Sequence, residues 1–80
     1  MSAAADDLVA VARLLVDQPA AVKAEERPIE DGAELLLHVD PSERGKVIGR
    51  RGRTVEALRA LAHHRGTREG RLLELEIADD

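Results

Sequence analysis

The chain has 80 residues, 44% of them hydrophobic and 35% charged, with a formal net charge of −4. This length predicts one domain, residues 1–80 with a core over about 5–78, and a thin core of marginal stability, since so small a fold buries only about 60% of its unfolded surface. The absence of cysteine excludes disulfide frameworks, thiolate metal sites and thiol nucleophiles, and the absence of Phe, Tyr and Trp excludes base stacking on those rings.

Residues 1–4 carry no pattern and are expected to fray. Over residues 6–17 apolar side chains fall at Leu8, Val11, Ala12 and Leu15, the spacing of an amphipathic helix, with Asp6 and Asp7 at its start and Gln18-Pro19 at its end. Val9, Leu14 and Val16 widen the apolar arc of that helix and suggest a partner surface. Residues 20–26 are weakly patterned, with Val22 and Ala24 able to face inward on a strand, and residues 28–32 read as a turn tipped by Asp31-Gly32. Residues 34–39 read as a strand with Leu35, Leu37 and Val39 on one face and Glu34, Leu36 and His38 on the other; the exposed-side Leu36 suggests a ligand groove. Asp40, Pro41 and Glu43 fit the N-cap, N1 and N3 positions of a short helix that stops at Gly49. A second helix is expected over residues 53–65, burying Val55, Leu58, Leu61 and Ala62, with Gly66 just past its end. Gly70 closes the next turn, and residues 71–78 alternate with Leu73, Leu75 and Ile77 inward. The order is α-β-β-α-α-β.

The run from Val47 to Val55 carries the chemistry. Gly49 and Gly52 stand three apart with Arg50 and Arg51 between them, and a helical pattern follows at once. Glycine permits positive φ and close backbone approach, and a helix start offers unpaired N–H groups. Two cations over such a turn suit a phosphodiester backbone. The charge distribution agrees. From Arg44 to Arg71 there are nine basic residues and two acidic ones, whereas the remainder holds three basic and 14 acidic. Such polarity points to a polyanion on one face.

With Ile48 before the glycines, Val55 three positions after them and this element order, the chain resembles a KH domain. It is similar to the type II arrangement and to the small stand-alone bacterial KH proteins of the KhpA type, over about residues 5–78. The resemblance implies an α+β fold, a three-stranded mixed sheet with helices packed on one face. It also implies binding of single-stranded RNA, with about four nucleotides clamped by the GxxG loop and bases in an aliphatic groove between the helix pair and a strand. Gly49, Arg50, Arg51 and Gly52 would form the clamp, Ile48 and Val55 would support the groove, and Lys46 and Arg53 would flank the loop. Relatives often have Lys-Gln or Arg-Gln between the glycines; Arg-Arg should strengthen phosphate contact and weaken discrimination. The resemblance further implies an RNA chaperone or post-transcriptional regulator, a link to cell shape and envelope growth, and a homodimer or a heterodimer with a larger KH-containing protein. The other reading of the fold is a protein-interaction adaptor that has lost RNA binding; Arg50-Arg51 favours RNA.

No enzyme is expected. Lys46 follows the wrong glycine for a Walker A loop and precedes Val47. His63 and His64 are adjacent, so they diverge on a helix and lack a third metal ligand. Glu74 and Glu76 share a strand face without a nucleophile. No catalytic residue, metal or cofactor is therefore assigned. No leader and no apolar run near 18 residues is visible, which predicts a cytoplasmic protein without membrane insertion.

Overall fold

The computed structural model describes residues 2–79, and its elements follow the predicted order. They are α1 Ala3–Leu15, β1 Lys23–Ile29, β2 Gly32–His38, α2 Arg44–Ile48, α3 Arg53–Arg68 and β3 Leu72–Ile77. β2 is the central strand, antiparallel to β1 and parallel to β3. A parallel pair needs a long crossover, and α2 and α3 supply it. One face of β2 and β3, carrying Leu35, Leu37, Leu73 and Leu75, is buried against Leu8, Val9 and Ala12 of α1, Val47 of α2, and Val55, Leu58 and Ala62 of α3. Each such leucine contributes about 1.5–3 kcal/mol of burial energy. The fold is α+β with a mixed three-stranded sheet.

Several boundaries differ from the sequence reading, each for a tertiary reason. The start of α1 is docked rather than frayed. Ser2 caps the helix by accepting from the Ala5 amide at 3.1 Å and donates its hydroxyl to Glu26 Oε1 at 2.7 Å, while Ala4 and Ala5 are fully buried. Residue 1 lies outside the described residues. α1 stops at Leu15, and Val16 is extended. The Asp17 and Gln18 amides donate instead to the carboxylate of Glu43. That use takes Glu43 away from the capping box, and Asp40 alone caps the turn Pro41–Glu43 before α2. Val9 is core, at 6% exposure, because α1 packs on both α3 and β1, and Val16 packs against the core; of the proposed partner arc only Leu14 stays open, at 86%, while Leu15, expected on the inward stripe, is exposed.

β1 continues to Ile29, past the expected turn, because every residue from Lys23 to Ile29 pairs with β2. Only Glu30 and Asp31 remain as the hairpin turn, with Asp31 at φ 66°. Pro28 is tolerated because β1 is an edge strand. Leu61 and Ile77 are half-buried rather than central, and Ala78 is buried. Among the described residues no helix is long and apolar enough to cross a membrane.

Gly66 does not end α3, which runs on to Arg68; the left-handed turn residue is Gly70, at φ 74°. Gly66 instead lets the helix lie against the start of β3. A Cβ there would stand 2.6 Å from the Arg71 carbonyl oxygen and 2.8 Å from the Leu73 amide nitrogen, whereas Gly45 in α2 faces open space. The same substitution should therefore act with opposite sign at the two sites. Gly45→Ala gains up to about 1 kcal/mol of helix propensity and raises Tm by a few degrees. Gly66→Ala loses about 1–3 kcal/mol to overpacking and lowers Tm by roughly 4–8 °C per kcal/mol. Thermal melts followed by circular dichroism check both; equal shifts would contradict the close approach.

Candidate nucleic-acid interface

The crossover builds a rigid turn at its centre. Asp40 Oδ1 accepts from the Ser42 amide at 2.9 Å and the Ser42 hydroxyl at 2.6 Å, bonds that hold its carboxyl below the usual range, the hydroxyl having the larger effect. The turn Pro41–Glu43 leads into α2, which ends where Gly49 swings to φ 77°. The Gly49 amide still donates to the Gly45 carbonyl at 2.9 Å, and the Gly52 amide donates to the Gly49 carbonyl at 3.1 Å. The Arg53 amide reaches back to the Arg50 carbonyl and opens α3. A Cβ at Gly49 would collide with the Thr54 side chain, and Gly52 is left-handed at φ 74°. Arg51 is left-handed as well, at φ 57°, a conformation costing a side-chain-bearing residue about 1–2 kcal/mol. Strain of this kind concentrates at functional sites.

The arginines on this turn differ from most of the others. Among the described residues, Arg13, Arg27, Arg44, Lys46, Arg59, Arg65 and Arg71 each meet a carboxylate or a backbone carbonyl. Arg50, Arg51 and Arg53 meet none, and all three are exposed. The positive end of the α3 dipole lies directly behind them. Most of the basic charge is neutralised within the fold; Lys23 and Arg68 also stand exposed without a partner, each by itself, and this turn is where open charge gathers.

Beside it a groove of about 390 Å³ runs between α3 and β3, lined by Glu56, Arg59, Ala60 and His63 on the helix and by residues 73–76 on the strand. Arg59 spans it. Its Nε donates to the Leu75 carbonyl at 3.3 Å, Nη1 to Glu56 at 2.6 Å and Nη2 to Glu76 at 3.2 Å. These bonds, Glu56 first, hold the guanidinium charged. The exposed lining of the groove is nonetheless mostly apolar, with these charged groups set along it.

The profile of the KH domain of KhpA and KhpB matches residues 5–77. The chain belongs to this KH family. It is 39% identical over 79 residues to the RNA-binding protein KhpA of Aquifex aeolicus, covering 99% of this chain and 100% of that one. It is 38% identical over 69 residues to the RNA-binding protein KhpA of Halalkalibacterium halodurans, covering 86% and 91%. It is also 38% identical over 65 residues to the RNA-binding protein KhpA of Streptomyces coelicolor, covering 81% and 78%. No solved structure matches the chain.

In this KH domain the other predicted residues take distinct places. Ile48 is half-buried against the core beside the turn, and Val55 is buried at 6%. Lys46 turns away from both. Its ammonium bonds Asp17 and Glu43, and these bonds, Asp17 first, raise its pKa. At about 100° per residue it sits some 160° around α2 from Ile48, whereas Arg44 lies within roughly 40°. Arg44 donates to the Ala78 carbonyl at 3.0 Å and pairs with Asp79 at 3.1 Å. Leu36 lies half-buried on the sheet, paired in register with Glu76 but outside the lining of the α3–β3 groove. His38 bonds Glu25 at 2.9 Å, and this bond is the main cause of a lowered Glu25 pKa. His63 lines the groove and His64 is exposed; among the described residues no three His, Cys, Asp or Glu side chains gather as a metal site. Sequence reasoning missed Arg59. Its only linear signal is the Glu56–Arg59 spacing, which reads as an ordinary surface pair.

Proposed function

We propose that this KH domain binds single-stranded RNA without catalysis. Arg50 and Arg51 grip the phosphate backbone across the Gly49–Gly52 turn, Arg53 adds charge beside it, and Ile48 and Val55 hold the turn in place. Lys46 serves mainly to brace α2 against the chain leaving α1. The observation that carries the reading is three partnerless arginines on a turn whose backbone is closed by its own hydrogen bonds. The relatives named RNA-binding protein support it. The role is that of a cytoplasmic RNA chaperone or post-transcriptional regulator, and its link to cell shape and envelope growth rests on resemblance alone. The working unit is a homodimer or a pair with a larger KH-containing protein, because one domain reaching about four nucleotides binds weakly and joining sites raises avidity.

A short single-stranded oligonucleotide titrated at several salt concentrations tests this. With roughly three to five phosphates contacted, log K should fall against log salt with a slope of about −2 to −3.5. A slope near zero contradicts a phosphate clamp, and no binding at all favours the protein-interaction adaptor.

A further inference from the structure

We propose that Thr54 is a phosphorylation site, the acceptor for a Ser/Thr protein kinase that selects arginine ahead of the hydroxyl, and that its phosphate takes up Arg50, Arg51 and Arg53 and so switches the clamp off. The switch rests on the RNA-binding reading above; the site itself does not.

The chain has four side-chain hydroxyls, on Ser2, Ser42, Thr54 and Thr67, and no tyrosine. Three of them are spent. Ser2 donates to Glu26 at 2.7 Å, Ser42 to Asp40 at 2.6 Å and Thr67 to the His63 carbonyl at 3.0 Å. Two of these sit on a carboxylate, which would repel a phosphate. The Thr54 hydroxyl has no hydrogen-bond partner among the described residues. Thr54 is half-buried beside Gly49, yet no unbonded side-chain oxygen of the described residues is buried, so this oxygen reaches solvent. Its surroundings are the reverse of those of Ser2 and Ser42. Arg50 and Arg51 stand four and three residues before it and Arg53 one before, all exposed and partnerless. The nearest acid along the chain, Glu56, is already bound by Arg59. Kinases choose substrates by the charge pattern around the hydroxyl, and Arg50-Arg51-Gly52-Arg53 ahead of Thr54 is a strongly basic one.

Thr54 is in the first turn of α3, where local opening costs less than in the core. Threonine in a helix divides between two χ1 wells, so its oxygen can turn outward from Gly49. Thr54 Oγ1 then attacks the γ-phosphorus of a nucleoside triphosphate held by the kinase. The new O–P bond forms as the bond to the bridging oxygen breaks, the nucleoside diphosphate leaves, and the kinase's base takes the hydroxyl proton. The product carries a charge of about −1.5 to −2 and three strong acceptor oxygens, set within one turn of three free guanidinium groups. It offers those arginines the same bidentate contacts as a strand phosphate. Being tethered, it is present at a high effective concentration that a short strand in solution does not match.

The test has two arms, both on the full chain. In the first, an arginine-directed Ser/Thr kinase with ATP should label the folded chain at Thr54 and leave a Thr54→Val chain unlabelled. No label, or label confined to the other hydroxyls, overturns the site. In the second, the chain is made by chemical synthesis unmodified, with phosphothreonine at position 54, or with phosphothreonine at position 67, roughly 20 Å further along α3. Binding of a short single-stranded RNA is read by fluorescence anisotropy at several salt concentrations, with thermal melts alongside. Phosphate at 54 should lower affinity at least about tenfold, the scale of one lost charge-assisted contact, and flatten the salt slope by about 1 or more. Phosphate at 67 lies beyond the screening length and should change affinity less than about twofold. Without RNA, the Nε–H resonances of the turn arginines should shift in the chain modified at 54. Unshifted resonances or unchanged affinity overturn the switch, as does an equal loss from phosphate at 67. A chain modified at 54 that melts well below the unmodified one also overturns it, since the phosphate would then be breaking α3 rather than occupying the arginines. If the unmodified chain binds no RNA, the RNA reading fails, while the labelling and the resonances still decide the site.

Discussion

Replacing Arg50 and Arg51 together by aspartate lowers the affinity for short single-stranded RNA at least about thirtyfold and leaves the melting temperature unchanged. Both side chains are exposed and neither has a partner among the described residues, so folding loses nothing when they go. Charge-assisted contacts contribute about 1.5–3 kcal/mol each, and the new carboxylates add repulsion, so a loss of ~2 kcal/mol is a lower bound. Aspartate tolerates the left-handed conformation at position 51 better than most residues, which keeps the turn intact. Anisotropy titrations with parallel thermal melts decide it. Full affinity in a double variant that melts like wild type would end the clamp reading.

The largest loss of stability is expected from Glu43→Ala, at about 3 kcal/mol. Glu43 is 4% exposed, and its two oxygens receive the Asp17 and Gln18 amides and the Lys46 ammonium. Truncation leaves two partly buried backbone donors unpaired, and a hydrogen bond to a charged group contributes about 1.5–3 kcal/mol. A domain of this size has only about 4–12 kcal/mol in total. Glu43→Gln keeps one acceptor but points an amide donor at another donor, so it should fall between wild type and Ala. Urea unfolding measures the series, and a loss below about 1 kcal/mol for Ala would show that water replaces the carboxylate.

What the sequence reveals of the fold follows from where periodicity exists. β2 alternates cleanly, with Leu35 and Leu37 inward and Val39 continuing the pattern just past its end, and α3 carries Val55, Leu58 and Ala62 at helical spacing, so both can be read directly. Three alanines at the start of α1 carry no pattern, and only the packing of Ala4 and Ala5 shows that the helix begins there. Gly66 looks like a helix terminator because it stands near the end of the pattern; that it fits against β3 is a contact the linear sequence does not contain. Glu43 fits a capping box locally, while its actual donors are 25 and 26 residues away. The two glycines and the arginines between them were legible as a turn because backbone freedom and charge are local properties. That Lys46 turns away was not, since its direction depends on the phase of a five-residue helix and on Asp17, 29 residues back. The span of Arg59 across the α3–β3 groove was hidden because it depends on two acceptors of β3, 16 and 17 residues on.

The closed geometry of the Gly49–Gly52 turn also decides when an entropic cost is met. Fixing the backbone of one residue costs about 1–2 kcal/mol, so ordering four residues on ligand contact would consume roughly 4–8 kcal/mol of interaction energy. Here the Gly49, Gly52 and Arg53 amides already donate within the turn region, and the Thr54 side chain fills the space beside Gly49. The loss of freedom is borne during folding, where the hydrophobic core offsets it. A ligand then has only the arginine side chains left to immobilise, at about 0.5–1.5 kcal/mol apiece. On the proposed clamp, this is how a chain of 80 residues would hold a short strand.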